Sequence, residues 1–207
     1  MFAYIKGELA QKQIGYVVID VGGLGYKVFM SENAIDELGT LGEQVKVHTY
    51  YRVMEDDISI YGFNTLEELK MFELLISVSG IGAKTAITML NAIEPSQFAI
   101  AVISNDIDTL KRIPGIGAKS AQRIVLELKD KIKKEQQISE LANASIEQQA
   151  KVKKVIVIDN KVQEAIDALQ VLGYTRKDID KALEKIDMKE LSIEDIIKKA
   201  LRELSMR

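Results

Sequence analysis

The residues of this chain whose types and spacing could do chemistry lie mostly in one nine-residue segment that occurs twice. Val78-Ser79-Gly80-Ile81-Gly82-Ala83-Lys84-Thr85-Ala86 returns 35 positions later as Ile113-Pro114-Gly115-Ile116-Gly117-Ala118-Lys119-Ser120-Ala121, with seven of the nine positions identical or exchanged only between Thr and Ser. Two glycines let the backbone take turn conformations and come close to a ligand without a Cβ in the way. The helix that follows starts with unpaired amides and the positive end of its dipole, and its natural ligand is a phosphate. Lys84 and Lys119 stand two residues into that helix, within reach of the same phosphate. The candidate phosphate contacts are therefore Gly80, Ile81, Gly82, Ala83, Lys84 and Thr85, then Gly115, Ile116, Gly117, Ala118, Lys119 and Ser120, with Arg123 added from the basic run behind them.

Other phosphate motifs fail on their letters. A Walker A loop needs Gly directly before Lys, where this chain has Ala83 and Ala118, so ATP binding is not expected. A dinucleotide fingerprint needs a preceding strand and Gly or Ala at its sixth position, where Thr85 and Ser120 stand. Two tight helical turns that bind nothing are the plain alternative for one copy. Duplication with a lysine in each copy favours phosphate.

The remaining candidates carry less. There is no cysteine, which removes thiolate metal sites, cysteine nucleophiles and disulfides together. His48 is the only histidine and falls in a strand-like alternation, the setting of an ordinary surface residue. Glu55-Asp56-Asp57 reads from its letters as a solvated hairpin tip. A metal-nuclease reading of these acids lacks a further ligand or general base nearby, so no metal and no cofactor is expected. Gly22-Gly23-Leu24-Gly25 is most simply a turn between strands.

These groups must be positioned by elements of two kinds. Up to residue 63, β-branched and aromatic runs separated by glycine-bearing turns predict five strands: 2–9, 14–21, 26–30, 44–53 and 57–63. In the fourth, Val45, Val47, Thr49, Tyr51 and Val53 share one face. A short helix capped by Ser31 falls between the third and fourth strands, the order of an OB-type barrel, although an SH3-like barrel suits the same periodicity. After Asn64 the period becomes helical, with Leu66, Leu69, Phe72, Leu75 and Ile76 at spacings of three and four. The expected division is a barrel domain over 1–64, a helical domain over 65–135 holding the paired glycine turns, a polar linker over 136–159 and a three-helix domain over 160–207. The segment 152–158 is more apolar than a linker should be. In the last domain, Thr175 and Ser192 are the expected caps and Gly173 a helix stop.

The whole is an α+β, multidomain chain of 207 residues, 47% hydrophobic, with a net charge of −3. Its charge is partitioned: residues 111–134 hold eight basic residues against two acids, whereas residues 1–64 hold five against nine. The lysines of 129–134 are either the solvated end of a helix or part of a phosphate-binding face. No run approaches the roughly 18 apolar residues of a membrane span, and the opening Met1-Phe2-Ala3-Tyr4-Ile5-Lys6 has no targeting stretch, so a cytoplasmic protein is expected.

The tandem Gly-Ile-Gly hairpins, the barrel ending in Tyr61-Gly62-Phe63-Asn64, and the segments Leu110-Lys111-Arg112-Ile113-Pro114-Gly115-Ile116-Gly117 and Glu127-Leu128-Lys129-Asp130 resemble the RuvA family over nearly the whole chain. The resemblance implies an OB-fold, a tandem helix-hairpin-helix domain and a UBA-like C-terminal domain. It implies a homotetramer, or an octamer, that receives four-way (Holliday) junction DNA on a basic face and is not catalytic by itself. It further implies recruitment of the RuvB ATPase by the C-terminal domain, with the RuvC resolvase as an additional partner. Glu55 and Asp56 then correspond to the family's acidic pin at the junction centre, with Asp57 open as a third member. The rival readings are a repair nuclease or ligase fragment built on the same hairpins, and a protein-interaction scaffold whose hairpins are only structural.

Overall fold

The structure is a computed structural model and describes residues 2–129, 131, 160–188 and 191–205. The expected linker, the segment 152–158 and the basic residues Lys133 and Lys134 lie outside the described residues. The chain divides into two compact units that interleave in sequence. One comprises Met1–Ser77, Ile81–Pro95 and Ile113–Gly115; the other comprises Val78–Gly80, Ser96–Arg112 and Ile116–Arg207.

The first unit is built on five strands, β1 (Tyr4–Gln13), β2 (Tyr16–Val21), β3 (Leu24–Phe29), β4 (Gln44–Val53) and β5 (Ile58–Phe63), with helix α1 (Glu32–Glu37) between β3 and β4. They close into a barrel in the order β1-β2-β3-β5-β4. The parallel contact of β3 with β5, at Phe29 and Tyr61, is what makes the barrel OB-like and sets the SH3-like alternative aside. Alternation supplies the core: Ile5 and Leu9 from β1, Val17 and Ile19 from β2, Val28 from β3, and Val45 and Val47 from β4 point inward, with Ile35 of α1 closing one end.

Three expectations need correction. The first strand runs on to Gln13 because a register shift between Leu9 and Gln11 lets Gln11, Lys12 and Gln13 pair with Val18, Val17 and Tyr16. Ile14 belongs to the turn and not to β2; it is 89% exposed. In β4, Val45, Val47 and Thr49 are buried as the alternation requires, but Tyr51 is half-buried and Val53 exposed, because the strand has left the barrel there for the β4–β5 tip.

Helix α2 (Leu66–Ile76) follows the barrel directly. Thr65 and Glu68 form a capping box at its start, and Glu68 also accepts from the Asn64 amide at 2.8 Å. Phe72 then lays its ring against Tyr50, Tyr61 and Phe63, with centroids 5.0–5.2 Å away, so one residue of α2 grips β4 and β5 together. Helix α3 (Ala83–Ala92) is tied to the helix inside the barrel sequence by a reciprocal pair: the Asn33 amide donates to Asn91 Oδ1 at 3.1 Å and Asn33 Nδ2 donates to the Asn91 carbonyl at 3.0 Å.

The second unit holds α4 (Pro95–Ile103), α5 (Ile107–Lys111) and α6 over residues 118–129, and a group of three helices, α7 (Asn160–Val171), α8 (Arg176–Leu183) and α9 (Ile193–Ser205). The three-helix group buries Ile166, Leu169 and Leu172 from α7 and its end, Ile179 and Leu183 from α8, and Ile196 and Ile197 from α9. Thr175 and Ser192 cap α8 and α9 by accepting from the amides of Asp178 and Asp195 at 3.3 and 3.1 Å.

Among the glycines of the barrel, Gly7 has the least room for a side chain. A Cβ there would lie 2.2 Å from the Asp20 carbonyl oxygen of the neighbouring strand, whereas one at Gly25 would meet only a Val18 side-chain carbon at 3.2 Å. Gly7→Ala is therefore expected to lower the unfolding free energy by about 1–3 kcal/mol, the usual cost of forcing an extra carbon into a packed site. Gly25→Ala should cost clearly less. Chemical denaturation of the two variants checks the order; equal midpoints would contradict it.

Candidate nucleic-acid interface

The two copies of the repeat fold alike residue by residue. Helices end at Ile76 and Lys111, turns occupy residues 77–80 and 112–115, two extended residues follow, and new helices begin at Ala83 and Ala118. Gly80 and Gly115 sit at φ 87° and 83°, in the left-handed region where a Cβ is strained, and this is the physical reason for glycine at those places. Both turns are pinned from beneath. Ile81 and Ile116 are 7% and 4% exposed, and the preceding Val78 and Ile113 are buried as well. The new helices then open with the same bond, the Ala86 and Ala121 amides donating to the Gly82 and Gly117 carbonyls at 2.9 Å. Ala86 and Ala121 are fully buried, as close helix packing requires.

Several of the other helices carry a side-chain cap that the hairpin helices lack. Helices α1, α2, α5 and α8 are each capped by a side chain, from Ser31, Thr65, Asp106 and Thr175. Helix α3 has Gly82 at its N-cap and no side-chain cap bond. Gly117 stands at the same place before α6 and likewise has no side chain to offer. The first-turn amides of these two helices are left for an external acceptor, and an anion is the acceptor that the helix dipole favours.

The expected lysines are exposed. Lys84 and Lys119 have no ion-pair partner among the described residues, and Lys84 also lines a cavity of about 620 Å³ with Tyr16, Phe29, Tyr61 and Thr88. Thr85 and Ser120 are half-buried, and Ala83 is buried where Ala118 is exposed. The rest of the basic run is less available than its letters suggest. Lys111 pairs with Asp108 at 2.7 Å, and Lys129 donates to Asn105 Oδ1 at 2.9 Å. The Arg123 guanidinium donates to the Ser79 carbonyl at 3.2 Å and lies 3.7 Å from Glu127. Glu127 is not among the sequence candidates; no local pattern marks a residue whose partner, the Ser79 amide at 3.1 Å, is 48 positions away.

The three acids of the β4–β5 tip are all exposed, on a turn closed by the Met54 amide donating to the Asp57 carbonyl at 2.8 Å. They are not equivalent. Ser59 donates to Asp57 Oδ2 at 2.5 Å, so the Asp57 carboxylate is held on the strand, while Glu55 and Asp56 make no side-chain bond to the described residues. His48 is half-buried on β4 and not simply a surface residue. Burial, seconded by Lys46, holds its imidazole below the usual histidine range, against an opposing pull from Glu67. Burial also raises the Glu68 carboxyl, although the Thr65 and Asn64 amides that it accepts from pull the other way. Among the described residues no three acid or histidine side chains converge as a metal-holding group, and no helix is long and apolar enough to cross a membrane.

Comparison with known proteins fits this geometry. Residues 1–62 match the RuvA N terminal domain, residues 72–130 the SAM-like helix-hairpin-helix tandem, and residues 160–205 the RuvA C-terminal domain. Relatives described as Holliday junction branch migration complex subunit RuvA align end to end. That of Acetivibrio thermocellus is 49% identical over 99% of both chains. That of Ruminiclostridium cellulolyticum is 44% identical over 99% of this chain and 100% of its own, and that of Clostridium perfringens 42% over 98% of both. With identity of this order along nearly the full length, and RuvA domains matched at both ends around a helix-hairpin-helix tandem, the chain belongs to the RuvA family.

Proposed function

We propose that this chain binds four-way (Holliday) junction DNA by its backbone, selecting structure and not sequence, as a homotetramer that holds the junction open. The observation that carries the reading is the pair of matching turns, each with a buried isoleucine, a left-handed glycine and a helix start without a side-chain cap. Such a device meets phosphate with main-chain donors and reads no base edges. Gly80 to Thr85 and Gly115 to Ser120 are the contacts, with Lys84 and Lys119 adding charge.

The chain itself is not catalytic in this reading and uses no metal or cofactor. The relatives' description as a branch migration complex subunit supports a role beside a motor, which we assign to the RuvB ATPase, recruited through the three-helix domain at 160–207. We take the chain to divide into 1–64, 65–135, a linker over 136–159 and 160–207, a reading supported by matched segments at 1–62, 72–130 and 160–205. An octamer clasping the junction from both sides and contact with the RuvC resolvase extend the same reading, in the cytoplasm and in the service of recombination and repair. Glu55 and Asp56 form the acidic pin, while the Asp57 carboxylate is held by Ser59.

The phosphate contacts are tested by replacing Lys84 and Lys119 together with Ala. Affinity is expected to fall alike for junctions of different sequence, and the salt dependence to become shallower by roughly 0.9 for each phosphate no longer neutralised. An unchanged slope in the folded variant would show that neither lysine meets phosphate.

The pin is tested by changing Glu55 and Asp56 to Asn. Carboxylates beside phosphate cost electrostatic energy unless the strands splay away from them, so the variant is expected to bind plain duplex more tightly while gaining less on a four-way junction. Competition between the two DNAs reads the ratio; a junction preference that rises would remove the assignment.

The C-terminal assignment is tested by a chain ending at Glu135. From residue 136 onward thirteen basic residues face thirteen acids, so this part adds no net attraction for DNA. The shortened chain should still bind junctions as an oligomer and no longer support ATP-driven branch migration with RuvB. Migration at the full-length rate would refute the assignment.

A further inference from the structure

The two hairpins, so alike in backbone, are not supported alike. Ser79 lies in the first turn, and both polar groups of its main chain are engaged by one pair of side chains on α6: its amide donates to Glu127 Oε2 at 3.1 Å, and its carbonyl accepts from Arg123 Nη1 at 3.2 Å. Arg123 and Glu127 are four residues apart and face each other at 3.7 Å, forming a clip across a single turn residue. The neighbouring Gly80 is close as well, since a Cβ there would lie 3.6 Å from Arg123 Nη1.

Among the described residues the second hairpin has no such clip. In the repeat, Pro114 takes the place of Ser79, Thr88 that of Arg123 and Ala92 that of Glu127. Proline has no amide hydrogen to satisfy and fixes its own φ, so the second turn is set by its own covalent structure. Thr88 bonds to the Lys84 carbonyl of its own helix at 3.1 Å, and Ala92 has no acceptor.

We infer that Arg123 and Glu127 are positioning residues that set the first hairpin's turn for phosphate, and that Arg123 acts through Ser79 and not as a phosphate ligand. The inference rests on the reading of the hairpins as phosphate contacts. A turn held before binding presents its amides without the ordering that a loose loop undergoes at that moment, so loss of the clip appears as weaker affinity. The sign is what distinguishes it. Glu127 is an anion on a DNA-binding helix, and plain electrostatics makes its removal favourable to binding. The clip makes its removal harmful.

The experiment measures affinity of the full chain for a labelled synthetic four-way junction across a salt series. Glu127→Ala is expected to weaken binding about two- to tenfold, the range of one ordinary hydrogen bond. Glu127→Gln removes the same charge but keeps an acceptor for the Ser79 amide, and should stay within about twofold of the parent chain. Arg123→Ala should weaken binding with its salt slope unchanged. In a Ser79→Pro background, which gives the first turn the residue of the second, Glu127→Ala should cause no further weakening.

Tighter binding by both Glu127 variants would reduce this residue to a repelling charge. A slope shallower by roughly 0.9 for each phosphate lost, summed over the subunits on the junction, would make Arg123 a phosphate ligand. An undiminished effect of Glu127→Ala in the proline background would separate it from Ser79. Amide hydrogen exchange at residues 79–82 without DNA gives a reading independent of binding: faster exchange in folded Glu127→Ala supports the clip, and unchanged exchange overturns it. If instead the Lys84, Lys119 double variant binds as the parent does while exchange still responds to Glu127, the phosphate reading fails and the clip stands.

Discussion

If the two turns hold phosphate as proposed, their backbone must be exposed and yet fixed, and the chain meets both demands by burying one isoleucine between two glycines. Ile81 and Ile116 anchor the turns in apolar surroundings, while Gly80 and Gly115, in the left-handed region, bring the main chain back to the surface. Without the buried side chain the glycines would be the loosest part of the loop, since glycine loses the most freedom on being ordered. Without the glycines the isoleucine would leave the amides beneath a screen of side chains. The rest of the arrangement follows from this compromise: small alanines so that helices can close on the turn, and helix starts with no cap of their own.

Charge is deployed in the same local manner. A chain with net charge −3 cannot rely on overall attraction to a polyanion, so individual cations matter more than the total. The structure separates the cations by their partners. Lys111, Arg123 and Lys129 are engaged within the chain, whereas Lys84 and Lys119, the ones that recur with the repeat, are left exposed. The acids of the β4–β5 tip show a similar division, Asp57 being held and Glu55 and Asp56 standing out from the turn.

What can be read from the sequence is what is encoded within a few residues. The hairpins are legible because the repeat displays its own equivalences, and the strands because alternation and glycine turns are local signals. Barrel closure is not, since the β3–β5 contact joins Phe29 to Tyr61 and no local pattern states which strands meet. The end of β1 escapes the letters because Ala10 to Gln13 offer no apolar alternation, and a bulge carries the ladder on. The outer part of β4 keeps its alternation in letters after it has left the core, so periodicity places Val53 inside and the structure places it outside. The Arg123 and Glu127 clip lies beyond reach for the same reason as closure: its partner is more than forty positions away.

The closure of the barrel has a bearing on how such a protein survives in quantity. Five strands that pair all the way round leave no ladder edge open to a neighbouring molecule, so copies can crowd side by side without joining into a continuous sheet. That protection is only as good as its thinnest join. Between β3 and β5 the ladder registers at a single residue pair, Phe29 with Tyr61, and the ring of Phe72 lies 5.2 Å from Tyr61. Were α2 to loosen on heating, this single-pair seam would have the least ladder to hold it closed. Two strand edges would then be freed at once, and unpaired edges are what lets separate chains join strand to strand.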